Sequence, residues 1–190
     1  SFGALPRSEG LLPGRYPRLI YEYDDGPTML TEGATAPGFS LPGVPADQSE
    51  GIEQYDLSEL RKTGPVLINF YLFDFNPQCR RNVCDLHDMS WFDLDSDIQV
   101  FGISTDSTFS HREFARQEGL DFPLLSDNDG SIAEAYDVLI DELRGHKRIA
   151  QRAVYLVDES GTVQYSWSAD SPDSQPDWQH VKAAVEAIKT

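Results

Sequence analysis

The chain has 190 residues, of which 39% are hydrophobic and 11% aromatic, and these values fit one globular domain with or without an appendage. Thirty-two acidic side chains against 15 basic ones leave a formal net charge of −17, which opposes binding to nucleic acid or to an anionic membrane surface. The longest apolar runs are far shorter than the ~20 residues that span a bilayer, and we expect no basic-then-apolar secretory leader. We therefore expect a soluble, cytoplasmic protein with neither a nucleic-acid nor a membrane partner.

The acidic excess has an unusual make-up, because 20 Asp and 12 Glu stand against 11 Arg and only four Lys. This skew is typical of proteins from a salt-rich cytoplasm, where cations screen the repulsion between carboxylates. We predict a halophilic origin. A merely acidic, soluble surface is the alternative, and in either case the charge says little about a substrate.

Residues 1–33 contain four prolines and no sustained period of 2 or 3.6, which predicts an N-terminal extension before a domain over residues 34–190. A short extended segment is expected at 33–43. The apolar and amphipathic patterns then predict strands at 65–73, 98–104, 122–125, 151–157 and 162–167, and helices at 57–61, 77–92, 106–117, 131–136 and 177–189.

The order of these elements predicts an α/β domain. The run 65–73 is almost wholly apolar, as in a central strand covered on both faces, and residues 158–161 are expected to turn a hairpin. A polar insertion at 140–149 is expected to form a surface loop near the site. Strand, helix, strand, helix, hairpin and helix together indicate a thioredoxin-like fold, with a central mixed β-sheet flanked by helices on both faces.

Two cysteines, Cys79 and Cys84, are the only ones in the chain, and both fall in the predicted helix 77–92. Asn76 is placed as the helix cap and Pro77 at the first helical position, where its missing N–H costs nothing. Cys79 then lies where unpaired N–H groups and the helix dipole favour a thiolate. Only His87 adds a nearby imidazole, too few ligands for a zinc site. An ordinary buried Cys84 beside a surface thiol at Cys79 is the alternative.

The spacing of the two cysteines limits how they can pair. Residues five apart on an α-helix have Cα atoms roughly 8.6 Å apart. A disulfide needs less than about 7 Å. Cys79 and Cys84 can therefore bond only if the helix between them unwinds, so a bridge here is expected to be a cycling one.

Three segments together resemble the peroxiredoxins, and most closely the bacterioferritin comigratory protein or peroxiredoxin Q branch. Residues 33–42 are similar to the family's opening Gly-x-x-Ala-Pro-x-Phe-x-Leu-Pro motif. Phe75-Asn-Pro-Gln-Cys79, with Cys84 five residues on, is similar to the family's Phe-Thr-Pro-Gly-Cys with its resolving cysteine. Arg152-Ala-Val-Tyr-Leu-Val-Asp158 matches the strand that carries the family's active-site arginine.

The resemblance implies a thiol-dependent peroxidase that reduces hydrogen peroxide and organic hydroperoxides without a metal or other cofactor. Cys79 would be the peroxidatic thiolate, Cys84 the resolving thiol and Arg152 the cation that stabilises the thiolate and orients peroxide. Asn76, in the position of the family's threonine, can in principle both donate and accept a hydrogen bond. A thioredoxin-like or other dithiol would reduce the disulfide, and either a monomer or a homodimer is compatible with this branch.

The chain departs from the family pattern at three positions near the cysteines. Leu72 replaces a proline, Asn76 the threonine and Asn82 a glutamate. These changes leave open a non-peroxidase redoxin, either a disulfide reductase or a thiol redox sensor. A protein-interaction module with incidental cysteines is a third possibility, against which Arg152 argues.

Several other polar residues are not predicted to take part in catalysis. His87 is predicted to face solvent or to cap a helix, and His111, His146 and His180 are predicted to lie at the surface. Carboxylates near Cys79 would oppose the thiolate. Arg80 and Arg81 either support the thiolate or face solvent.

Overall fold

The structure is a computed structural model that describes residues 30–47, 49, 51–89, 98–171 and 174–188. Within these residues the chain forms nine strands and five helices. The strands are β1 (Ser40–Val44), β2 (Glu53–Asp56), β3 (Val66–Phe70), β4 (Gln99–Ser104), β5 (Leu124–Ser126), β6 (Leu139–Leu143), β7 (His146–Ala150), β8 (Ala153–Val157) and β9 (Val163–Ser168). The helices are α1 (Leu57–Leu60), α2 (Pro77–Asp88), α3 (Thr108–Glu118), α4 (Ser131–Ala135) and α5 (Trp178–Ala187).

Seven strands form one mixed sheet in the order β2-β1-β5-β4-β3-β8-β9. β3 pairs in parallel with β4, which pairs in parallel with β5, while the remaining pairs are antiparallel. All five residues of β3 are buried, which confirms the prediction of a central strand covered on both faces.

Helices cover both faces of this sheet, which confirms the predicted thioredoxin-like architecture. Adjacent residues of β3 enter opposite hydrophobic clusters, Leu67 on one face and Ile68 on the other, as the alternation of a strand requires. Helices α2, α3 and α5 pack on the Leu67 face, and α1 and α4 on the Ile68 face. None of the helices in the described part of the chain is long and apolar enough to cross a bilayer.

The helix ends follow local side-chain chemistry. Asp56 caps α1, and Asp177, predicted as the first residue of the last helix, instead caps α5. α3 begins two residues later than predicted because Ser107 supplies the cap. Gly119 ends this helix with φ 66°, a left-handed conformation that glycine adopts readily.

The insertion at residues 140–149 differs most from its prediction. Instead of a loop, it belongs to the β6–β7 hairpin, in which Ile140 pairs with Ile149 and both are buried. The turn residues Arg144 and Gly145 have φ values of 52° and 83°, which suit a tight two-residue turn. The predicted position near the site is confirmed, since the ring of His146 in β7 lies 4.7 Å from that of Phe73, centroid to centroid.

The predicted N-terminal extension lies outside the described residues over 1–29. Where the described chain begins, residues 33–36 run beside β9. Gly33 N–H donates to the carbonyl of Val163 at 2.8 Å, and Val163 N–H donates back to the carbonyl of Ala34 at 2.9 Å. The proposed division into an extension and a domain stays a prediction.

Candidate active site

Cys79 occupies the first turn of α2, where the predicted cap is confirmed. The Asn76 side-chain oxygen accepts hydrogen bonds from the backbone N–H of Gln78 at 3.0 Å and of Cys79 at 3.2 Å. Pro77 is the first helical residue, so the helix begins where the sequence predicts. Cys79 itself is fully buried against the core on this face of the sheet.

Arg152 lies next to the loop that leads into α2. Ala153, the first residue of β8, pairs with Phe70, the last residue of β3, so Arg152 stands beside the point where residues 71–76 leave the sheet. Its side chain is only 1% exposed, and its Nη2 donates to the carbonyl of Ser171 at 3.3 Å. A guanidinium is permanently charged, so this is a buried positive charge.

The pKa of Cys79 reflects opposing influences. Burial raises it above its ordinary value, because a thiolate is poorly solvated there. Hydrogen bonds from the backbone of Phe73 and Leu72 oppose this increase, as does the positive charge of Arg152. The sequence predicts that the helix N-terminus favours the thiolate; the structure adds these further donors, but burial outweighs them and the pKa remains raised.

Cys84 lies further along α2, in different surroundings. Its thiol is half-buried and donates to Oε2 of Glu118, the last residue of α3, at 3.5 Å. Burial and this carboxylate together raise the pKa of Cys84 to about 11. Both cysteines are free thiols within a continuous helix, as expected if a bridge requires unwinding.

Arg80 does not assist Cys79 in this structure. Its Nε donates to the same Glu118 oxygen at 2.7 Å, and its side chain is 60% exposed. Of the two roles left open by the sequence, exposure to solvent describes Arg80, with the addition of its ion pair with Glu118.

A buried polar network beneath the loop 71–76 is missed by the sequence analysis. His111 was predicted at the surface, and this is wrong, because it is fully buried in α3. Its Nδ1 lies 3.0 Å from the Asp74 carboxylate, and its Nε2 lies 3.1 Å from the carbonyl oxygen of Leu125. Each nitrogen of the buried ring therefore faces a hydrogen-bond acceptor.

Three further residues, Tyr71, Asp106 and Ser104, connect the loop to this network. The hydroxyl of Tyr71 donates to Asp74 at 2.8 Å. The backbone N–H of Asp74 donates to the Asp106 carboxylate at 2.9 Å, and the hydroxyl of Ser104 donates to the same oxygen. The loop before Cys79 is thereby held from β4 and from α3.

The sequence does contain one signal for His111. Phe114 and Ala115 follow it by three and four residues and are buried on the same face of α3. A histidine in line with them belongs to the buried stripe.

Asn82 also lies in the interior, as a link between α2 and the sheet. Its side-chain oxygen accepts from the Asn69 amide of β3 at 2.8 Å, and both side chains are fully buried. At the more exposed His87, the ring pairs with Asp121 at 2.8 Å, which agrees with the predicted non-catalytic role.

The chain is similar to known proteins over most of its length. The model of the AhpC/TSA family matches residues 33–166. A putative peroxiredoxin bcp from Coxiella burnetii is 35% identical over 138 residues, which cover 71% of this chain and 86% of that protein. Peroxiredoxin Bcp from Bacillus subtilis is 29% identical over 159 residues, which cover 83% of this chain and 94% of that protein.

Solved structures agree with this assignment. Peroxidoxin BcpB from Mycobacterium tuberculosis superimposes with a TM-score of 0.70 at 28% identity, covering 85% of this chain and 99% of the other. Family match, sequence relatives and fold point to one class of enzyme, the thiol-dependent peroxidases. The chain therefore belongs to the AhpC/TSA family, on its peroxiredoxin Bcp and Q branch.

Proposed function

We propose that Cys79 is the sulfur with which this thiol-dependent peroxidase attacks peroxide, and that Cys84 resolves the product. One observation carries the assignment: hydrogen bonds from the backbone and the charge of Arg152 counteract the rise in the pKa of Cys79 that burial causes, whereas the Glu118 carboxylate adds to the rise in the pKa of Cys84. A nucleophilic thiolate needs nearby positive charge and N–H donors. Only Cys79 has both.

In the first step, the Cys79 thiolate attacks one oxygen of hydrogen peroxide or an organic hydroperoxide. The O–O bond breaks, the sulfur is oxidised by two electrons to a sulfenic acid, and water or an alcohol leaves after taking up a proton. Arg152 stabilises the thiolate and the charge that develops on the leaving oxygen.

Asn76 is proposed to contact peroxide through its amide nitrogen. Its oxygen already accepts the N–H groups of Gln78 and Cys79. The NH2 group of the same side chain has two further hydrogens to donate. Asn76 therefore replaces the donating half of the family's threonine, while its oxygen serves as the helix cap.

In the second step, the Cys84 thiolate attacks the sulfenic sulfur and hydroxide leaves as water. Because an intact helix holds the two cysteines too far apart, α2 must unwind between them first. An external dithiol, of the thioredoxin type or another, then reduces the disulfide and returns both thiols.

Stopped-flow oxidation of the reduced protein by hydrogen peroxide tests this proposal. The wild type is expected to react far faster than a free thiol, Cys79→Ser to lose the fast reaction, and Cys84→Ser to keep it but stop at the sulfenic acid. Wild-type consumption of peroxide no faster than by a free thiol would contradict the proposal.

The acidic surface is proposed to be an adaptation to a salt-rich cytoplasm. With a net charge of −17, repulsion between carboxylates opposes the compact state unless cations screen it. Thermal unfolding in about 0.1 M and about 2 M KCl measures this, because screening is nearly complete at the higher concentration. We expect a large rise in melting temperature with KCl. An unchanged melting temperature would contradict an adaptation to salt.

The active unit is proposed to be a monomer or a homodimer formed by the domain of residues 34–190. Both cysteines lie on α2 of one chain, which supports a disulfide cycle within one subunit in either state. Sedimentation of the reduced and the oxidised protein measures the state. Assembly into larger rings would contradict this proposal.

A further inference from the structure

One carboxylate oxygen contacts both ends of the segment that must unwind. Oε2 of Glu118 accepts a hydrogen bond from Arg80 Nε at 2.7 Å and from the Cys84 thiol at 3.5 Å. Arg80 directly follows Cys79, so these two contacts span the helical residues between the cysteines. The Glu118 side chain is only 7% exposed, although its partner Arg80 is largely in solvent.

We propose that Glu118 is a positioning residue that fastens α2 to α3 and thereby slows the formation of the disulfide. This inference rests on the proposed roles of the two cysteines. It goes beyond them by assigning the rate of the resolving step to a residue outside the cysteine motif.

The first part of the argument is geometric. The disulfide cannot form while residues 79–84 are helical, since their ends are then too far apart. Unwinding draws Arg80 and Cys84 away from α3, so both contacts with Glu118 must break. Every contact that holds only the helical state lowers the population of the unwound one.

The second part is electrostatic. The nucleophile in the resolving step is the Cys84 thiolate, and the charges facing it are Glu118 from α3 with Arg80 and Asp88 from α2. Arg80 favours the thiolate, but the two carboxylates oppose it. A carboxylate is also a much weaker base than a thiolate, so Glu118 is poorly suited to remove the thiol proton.

The overall step balances without Glu118 as a reactant. The Cys84 S–H proton goes to solvent, a sulfur–sulfur bond forms, the S–O bond of the sulfenic acid breaks, and hydroxide leaves and is protonated to water. Cys84 is oxidised by one electron equivalent and the sulfenic sulfur is reduced by one. Glu118 affects only how often this step begins.

A slow resolving step prolongs the life of the sulfenic acid. At high peroxide concentration, a second peroxide can then oxidise Cys79 to the sulfinic acid, which the disulfide cycle does not reverse. The strength of the Glu118 contacts would therefore set the peroxide concentration at which the enzyme is inactivated.

Glu118→Gln tests the inference, with Glu113→Gln as the matched control. Glu113 is on the same helix and pairs with Arg116, away from both cysteines. Stopped-flow fluorescence with hydrogen peroxide separates the second-order oxidation of Cys79 from the first-order formation of the disulfide. In Glu118→Gln, we expect an unchanged first phase and a second phase about three- to tenfold faster, with less sulfinic acid by mass spectrometry.

The outcomes distinguish this inference from the proposed function. If neither phase occurs in the wild type, the cysteine assignment fails. If the first phase is intact but Glu118→Gln leaves the second unchanged or slows it, the inference is overturned, and slowing would mark Glu118 as a base. Glu118→Asp keeps the charge but shortens the side chain, so it should accelerate the second phase less than Glu118→Gln.

Discussion

Cys79 and Cys84 belong to one helix, yet the charge with the largest influence has opposite sign at the two thiols, Arg152 at Cys79 and Glu118 at Cys84. Cys79 is fully buried among backbone donors with the Arg152 guanidinium nearby. Cys84 is half-buried, and its thiol donates a hydrogen bond to the Glu118 carboxylate. Two thiols with the same intrinsic chemistry therefore have the different surroundings that the two proposed steps require.

The difference shows that burial and charge can act separately on a thiol. Burial raises the pKa of both cysteines, but at Cys79 the neighbouring groups oppose that increase, whereas at Cys84 the Glu118 carboxylate adds to it. This difference supports the proposed sequence of steps, in which the sulfur near the backbone donors and Arg152 reacts with peroxide first and the Cys84 thiol then reacts with the sulfenic acid.

Removal of the buried Arg152 cation should have the largest effect on the difference in reactivity between the two thiols. In Arg152→Met, the pKa of Cys79 rises further and the leaving oxygen loses its partner, so we expect the rate constant for peroxide to fall about 100-fold, or ~3 kcal/mol in the barrier. Stopped-flow oxidation measures it. The control is Arg148→Met, since Arg148 is an exposed arginine paired with Glu134. An equal loss in both variants would contradict the role of Arg152.

The polar network under the Cys79 loop should contribute mainly to stability. Asp74→Asn leaves His111 facing a neutral amide in a dry interior, so we expect a loss of about 2–3 kcal/mol in the free energy of unfolding. Urea denaturation measures it, with the exposed Asp141→Asn as control. A change within about 0.5 kcal/mol would show that the pair does not hold the loop.

The pH dependence of the resolving step should report the raised pKa of Cys84. With the pKa of Cys84 raised to about 11 in the folded enzyme, its thiolate fraction grows about tenfold per pH unit below that value. We therefore expect disulfide formation to accelerate from pH 7 to pH 9 without a plateau. Single-turnover measurements across this range test it, and a plateau near pH 8 would show that Cys84 titrates as an unperturbed thiol.

The smallest expected effect concerns a backbone donor. Leu72 donates through its N–H to Cys79, whereas the proline of the family pattern has no such hydrogen. Leu72→Pro should raise the pKa of Cys79 and slow the reaction with peroxide at neutral pH about three- to tenfold. Leu72→Val keeps the N–H and is the control, and a faster Leu72→Pro enzyme would contradict this reasoning.

Much of the fold was predictable because its signals are local. The apolar run of β3 and the Asn76-Pro77 start of α2 each depend on adjacent residues. These two elements place Cys79 at a helix N-terminus, so the core of the site followed from the sequence.

The remaining features depend on contacts between distant segments. The polar insertion became a hairpin because Ile140 and Ile149 pair and bury one another, a gain that its charged composition hides. His111 is buried because Asp74, 37 residues earlier, supplies its partner. Glu118 faces Cys84 across 34 residues, a contact that no periodicity predicts.

Trapping of the sulfenic acid tests the central claim most directly. Reduced Cys84→Ser and Cys79→Ser are each treated with substoichiometric hydrogen peroxide in the presence of dimedone, and the adducts are mapped by mass spectrometry. The difference between the two sulfurs predicts rapid labelling of Cys79 in the first variant and no rapid labelling of Cys84 in the second. Labelling of Cys84 at a comparable rate would contradict the claim, because the carboxylate beside it would then have no protective effect.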